Sequence, residues 1–114
     1  MANKDTRSGI LQGTLDLMVL QTLGTIGEQH GYAIAERIEQ VSKGAIQLNM
    51  GTLYPALVRL EQRRWIRGRW AVTTNKRRAR LYSLTAAGQK KLELERSDWK
   101  QMAGFMERLL NNES

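Results

Sequence analysis

Cysteine is absent from this chain, and most of the groups that enzymes use are scarce. Without thiols there is no disulfide and no thiolate metal site, which suits a reducing compartment. His30 is the one histidine, so a metal would have to be held almost wholly by carboxylates, and no carboxylate cluster has ligand spacing. A nucleophile would have one base to draw on, and that base stands in a turn signal. Gly24 and Gly27 form only Gly-x-x-Gly with no lysine after them, which is no phosphate cradle. No enzymatic activity and no cofactor are expected. No apolar run approaches the ~20 residues needed to span a bilayer. The opening MANKDTRSGI has no apolar signal core. A soluble, cytoplasmic protein with no membrane partner is expected.

Acid is also in short supply. Eleven Asp and Glu oppose eighteen Lys and Arg, giving a net charge of +7. Such a balance favours polyanions. The cations are not spread evenly. Arg59, Arg63, Arg64, Arg67, Arg69, Lys76, Arg77, Arg78 and Arg80 all fall between Asn49 and Leu84, where Glu61 is the one acid. With 41% hydrophobic residues over 114 positions, the chain has room for one domain and one core.

The apolar pattern divides the chain. Residues 1–9 are polar and are expected to form a mobile arm. Leu11, Leu15, Met18, Val19 and Leu23 recur at helical spacing, which predicts a first helix over Gly9–Leu23. His30-Gly31-Tyr32 opens a second helix, with Ala33, Ile34, Ile38 and Val41 as its apolar side; His30 is expected to cap or precede it rather than act as a pH sensor. Ile46 and Leu48 alternate and suggest a minimal strand over Ala45–Leu48. Asn49 is a good N-cap for a third helix whose buried side is Met50, Leu53, Leu57 and Leu60. Its opposite side holds Thr52, Ala56, Arg59 and Arg63. Counted from Asn49, Pro55 falls past the first turn, where it removes a hydrogen bond. Either Thr52 is the true N-cap or the first turn is distorted.

After Arg64 the period changes to two. Ile66, Trp70 and Val72 alternate with Arg67, Arg69 and Ala71 on a half-buried strand, broken in pattern at Gly68. Thr73–Arg77 turns, and Arg78–Leu84 returns with Tyr82 and Leu84 on one face. A helix followed by a cationic hairpin is how a winged helix-turn-helix holds DNA. Thr85 is an N-cap candidate for a last helix running to Leu110, about 39 Å at ~1.5 Å per residue. Leu92, Trp99, Met102, Met106 and Leu109 form a heptad-like seam on it, widened by Phe105 and Leu110, which predicts a homodimer through this helix. The expected fold is mainly α (α+β): a winged helix-turn-helix domain over 10–84 with a two-stranded wing, and a long C-terminal dimerisation helix over 85–114.

Four stretches in order resemble the PadR family of transcriptional regulators. They are Gly13-Thr14-Leu15-Asp16-Leu17, His30-Gly31-Tyr32, Gly51-Thr52-Leu53-Tyr54-Pro55-Ala56-Leu57, and Arg78 to Gly88. The short last helix is similar to the compact branch of that family. The resemblance implies a dimeric repressor on an inverted-repeat operator of double-stranded DNA. It implies that Thr52, Tyr54 and Pro55 lie at the groove-facing start of helix 3. It also implies that the wing, Lys76, Arg77, Arg78 and Arg80, touches backbone or minor groove; Arg59 and Arg63, on the outer side of helix 3, are expected to neutralise phosphates with it. Some relatives release DNA on binding aromatic or cationic small molecules that stack on an aromatic residue of the last helix; Trp99 is the candidate here, and packing in the helical seam is the simpler account of it. Two other function classes fit the same composition: a non-specific nucleic-acid binder, and a small-molecule-binding dimer with a secondary DNA role.

Overall fold

The computed structural model describes residues 4–112, with side chains described from residue 13. The order is α1 Lys4–Ile26, β1 Gln29–His30, α2 Gly31–Val41, α3 Met50–Gln62, β2 Ile66–Val72, β3 Arg78–Leu84 and α4 Ala86–Leu110. The first helix begins at Lys4, ahead of the expected Gly9. Nothing between Lys4 and Gly9 breaks a helix, and Lys and Arg favour one. Residues 1–3 of the expected arm, and the side chain of Leu11, lie outside what is described.

The three strands form one antiparallel sheet in the order β1-β3-β2, with Ile66 opposite Leu84 and Val72 opposite Arg78. The expected two-stranded wing thus gains a short third strand, whose Gln29 and His30 face Tyr82 and Leu81. Two residues between Gly27 and Gly31 are too few for a periodic signal. The strand expected over Ala45–Leu48 does not form. Ser42 Oγ accepts from Ile46 N–H at 2.9 Å, which holds this segment as an irregular link.

The core joins Leu15, Val19, Leu20 and Leu23 of α1 to Ile34, Ala35 and Ile38 of α2, to Leu53, Ala56, Leu57 and Leu60 of α3, and to Ile66, Tyr82 and Leu92. Helix α1 packs against α2, α3, β3 and α4 at once. A helix surrounded in this way buries more than one stripe, so Leu20 joins the expected residues. Val41 is exposed, because α2 ends there at the Ser42 C-cap. Ala56, expected on the outer side of α3, is buried, and Met50 is 40% exposed. The small Ala56 side chain lets a neighbouring element come close. The wing buries less than expected: Ile66 is covered, but Trp70 and Val72 are exposed beyond the edge of the helices.

Local caps set the helix starts. His30 Nδ1 accepts from Ala33 N–H at 3.3 Å, Asn49 Oδ1 from Thr52 N–H at 2.9 Å, and Thr85 Oγ from Gly88 N–H at 2.9 Å. The Thr85 cap also anchors α4 to the wing. Its own N–H donates to the Trp65 carbonyl at 3.1 Å, and its hydroxyl lies 2.7 Å from the Arg64 carbonyl and 3.1 Å from that of Trp65. A Cβ at Gly88 would collide with the Trp65 carbonyl, which is backbone and cannot move aside. Among the described residues, no helix is long and apolar enough to cross a membrane.

Gly88→Ala should therefore destabilise the fold by about 1–3 kcal/mol, the usual range for overpacking. Denaturant melting measures it, and an unchanged midpoint would mean that α4 can shift without loss.

Candidate nucleic-acid interface

Helix α3 is fixed by its apolar side and presents the rest. Leu53, Ala56, Leu57 and Leu60 are each no more than 1% exposed, whereas Thr52, Tyr54 and Pro55 are exposed. Asn49 is the N-cap, so Pro55 lies inside the helix and Thr52 is not the cap. Proline has no N–H, which leaves the Gly51 carbonyl without its helical partner. The exposed start of α3 therefore offers the Thr52 hydroxyl, the Tyr54 ring and one free backbone acceptor.

The nine cations sort into three groups. Arg59, Arg69 and Arg80 are engaged by carboxylates. Arg59 Nη2 meets Asp16 Oδ1 at 2.5 Å and its Nε meets Oδ2 at 3.3 Å, so α1 braces α3 through a forked pair. Arg69 is forked on Glu28 at 2.8 and 2.9 Å. Arg80 Nη2 meets Glu61 Oε2 at 2.5 Å. These contacts raise the pKa of Arg69 and Arg80 and hold Glu28 below the usual carboxylate range, through the Arg69 hydrogen bond. The contribution of Glu28 to stability is thus present at neutral pH and is lost as the pH falls through that lowered value. Burial pushes the Tyr82 hydroxyl up.

Arg63, Arg64 and Arg67 form a second group at the far end of α3. Arg63 is its C-cap, about 17 Å along the axis from Thr52 at ~1.5 Å per residue. Arg63 and Lys91 both stack on Trp65, with their charged groups 5.4 and 4.7 Å from the ring centre. The basic side expected to run along α3 is thus interrupted: Arg59 is turned to Asp16, and Arg63 to Trp65.

The third group is the wing tip. Lys76, Arg77 and Arg78 are exposed, and among the described residues no carboxylate pairs with them. The turn closes through Thr73 N–H to the Arg77 carbonyl at 2.8 Å and Lys76 N–H to the Thr73 carbonyl at 2.9 Å. Lys76 has φ +61°, a conformation that suits glycine better than lysine.

Helix α4 departs from the expected seam in one member. Leu92 is 2% exposed and packs in the chain's own core beside Gly24, because the first turns of α4 lie along α1. Trp99, Met102, Phe105, Met106, Leu109 and Leu110 are exposed. Trp99 also lines a groove of about 540 Å³ between α1, α2 and α4, together with Leu17, Met18, Ile38, Val41, Arg37, Arg96 and Lys100. The lining contains three cations and no acid.

The profile of the transcriptional regulator PadR-like family matches residues 19–94. A 37.1 kDa protein from a transposon of Streptomyces fradiae is 41% identical over 78 residues, which is 68% of this chain and 21% of that protein, so the chain spans about a fifth of that relative. Among solved structures, a transcriptional regulator from Clostridium thermocellum superposes with a TM-score of 0.79 at 24% identity, covering 88% of this chain and 96% of that one. A PadR family regulator from Clostridium difficile gives 0.73 at 28% identity, covering 86% and 99%. A PadR-like transcription factor from Bacteroides fragilis gives 0.76 at 21% identity, covering 93% and 99%.

The wing turn makes a test in which two readouts move oppositely. Lys76→Gly should raise stability by up to about 1 kcal/mol, by relieving the left-handed backbone. It should also weaken binding to duplex DNA. A loss in thermal midpoint would show that the Lys76 side chain, not the backbone, governs the turn.

Proposed function

The chain belongs to the PadR-like family of transcriptional regulators, and from that premise we propose a cytoplasmic homodimeric repressor that binds an inverted-repeat operator and releases it on an effector signal. That it is a DNA-binding regulator rather than an enzyme follows from the family. The proposed DNA contact is carried by one observation: the start of α3 is exposed, and so are the wing-tip cations Lys76, Arg77 and Arg78, with which no carboxylate pairs among the described residues.

Thr52 and Tyr54 read base edges from the major groove, where each base pair has its own donor and acceptor pattern. Lys76, Arg77 and Arg78 neutralise phosphates, and each released counterion steepens the salt dependence. Arg59 and Arg80 act through their carboxylate partners, and Arg63 touches flanking backbone. The winged-helix unit over 10–84 is the reader and 85–114 the pairing arm. Exposed Trp99, Met102, Phe105, Met106 and Leu109 support pairing, since apolar side chains at helical spacing on a free arm gain by meeting a second copy. Two readers about one DNA turn apart, near ~34 Å, require a pseudo-palindromic site. Bound protein then excludes polymerase.

The groove beside Trp99 supports an effector site. Arg37, Arg96 and Lys100 in its lining disfavour a cationic ligand and favour a neutral or anionic aromatic one.

The central test is fluorescence anisotropy with duplex DNA from upstream of the gene, against a scrambled duplex of equal length, across a salt series. Preference for the upstream duplex that survives higher salt is expected. Equal and steeply salt-dependent binding to both would leave only a polyanion binder. Thr52→Ala should erode the preference, while Arg77→Ala should weaken both duplexes and lower the salt slope by about one. Met106→Glu should convert dimer to monomer in sedimentation velocity; an unchanged dimer would move the interface off α4.

A further inference from the structure

Glu61 is the lone acid among the cations of the Asn49–Leu84 stretch, and it stands near the C-terminal end of α3, where the helix dipole disfavours an anion. Its position is explained by what it holds. We propose that Glu61, Arg80 and Trp70 form a strut from α3 into the wing that sets where Arg78 stands, so that helix and wing meet DNA as one rigid body. Glu61, Arg80 and Trp70 are positioning residues; Arg78 is the contact. The inference rests on the proposed DNA role of the wing.

The strut can be followed atom by atom. The Glu61 carboxylate receives Arg80 Nη2 at 2.5 Å, with both side chains about two-thirds covered. The guanidinium then crosses β2 at Gly68. A Cβ at that position would lie 2.7 Å from Arg80 Nε, 2.8 Å from Nη2 and 2.9 Å from Cζ. The strand carries glycine where the arginine passes over it. Beyond Gly68, Arg80 Cζ lies 5.4 Å from the centre of the Trp70 ring, and Arg78 Cζ lies 4.9 Å from the same ring. The register places these residues on one face: Gly68 opposite Tyr82, Trp70 opposite Arg80, and Val72 opposite Arg78. Trp70 is 56% exposed, so it is not there to fill the core. An indole ring with two guanidinium groups this close is held by their charge against its π-system.

A two-stranded hairpin that projects past its core is free to bend relative to the helix it accompanies. The strut removes that freedom with one charge pair and one stacked ring, and it does so without using Arg78 itself as a partner of Glu61. Arg78 stays free to meet phosphate.

The experiment is a double-mutant cycle in operator binding. Gly68→Ala displaces Arg80 without touching DNA; Arg78→Ala removes the contact. Both single variants and the double variant are measured by anisotropy on the upstream and scrambled duplexes across salt, with circular dichroism melts alongside. Each single change is expected to weaken the upstream duplex about tenfold and to lower the salt slope by about one. The double variant should bind no worse than the weaker single. Glu61→Gln, which keeps the shape of the side chain, should reproduce Gly68→Ala and serves if that variant fails to fold. Losses that multiply in the double variant, or a salt slope unchanged by Gly68→Ala and Glu61→Gln while Arg78→Ala lowers it, would overturn the strut and leave the wing contact intact. Wild-type binding by Arg78→Ala would instead take Arg78 off the DNA and overturn the strut, while the wing itself is tested separately by Arg77→Ala.

Discussion

The proposed DNA-facing side of this molecule depends on the burial of one side of α3. Leu53, Leu57 and Leu60 are almost fully removed from water, and each contributes about 1.5–3 kcal/mol by that burial. Ala56 among them lets a neighbour approach. With that side committed, the remaining side of the helix has no freedom of direction. Thr52, Tyr54 and Pro55 point outward because the leucines point inward, and the Asn49 cap fixes where the helix starts. The direction of this exposed edge is a by-product of packing, and packing holds it rigid.

Carboxylates give the second layer of order. Asp16, Glu28 and Glu61 each take one arginine out of the cationic stretch. Their effect on total charge is small beside their effect on placement. Arg59 ties α3 to α1, Arg69 ties the wing to the segment before α2, and Arg80 ties the wing to α3. These pairs are partly exposed, so each adds little to stability by itself. As forked or partly covered contacts they fix angles between elements, which is what a surface that must match a DNA groove requires. The cations left at the wing tip are those without such duties.

Much of this was legible in the sequence because it is local. Asn49 and Thr85 marked two helix starts, the period-two alternation after Arg64 marked the wing, and the apolar row to Leu110 marked the length of α4. The misses are long-range. Asp16 and Glu28 stand 43 and 41 residues from the arginines they hold, so a count of acids within the basic stretch overstated its free charge. The heptad-like seam on α4 was drawn correctly as apolar, but periodicity cannot tell a partner chain from the chain's own α1, and Leu92 belongs to the latter. The Gly68 break in the strand pattern was visible; that it makes room for Arg80 was not, since cross-strand register and a side chain from β3 decide it. The short β1 strand left no periodic trace.

The Trp65 carbonyl has a consequence of a different kind. It accepts the N–H of Thr85, lies within 3.1 Å of its hydroxyl and abuts Gly88, all at the root of α4 and at the entrance to β2. The long helix is therefore joined to the winged-helix unit directly, by this contact and by the packing of its first turns along α1, rather than through a linker. Its 25 residues make an arm of about 37 Å at ~1.5 Å per residue, so a turn of ~10° at the root sweeps the far end by about 6 Å. A small change of angle at the root is thus magnified at the far end into a displacement comparable to a full pitch of an α-helix.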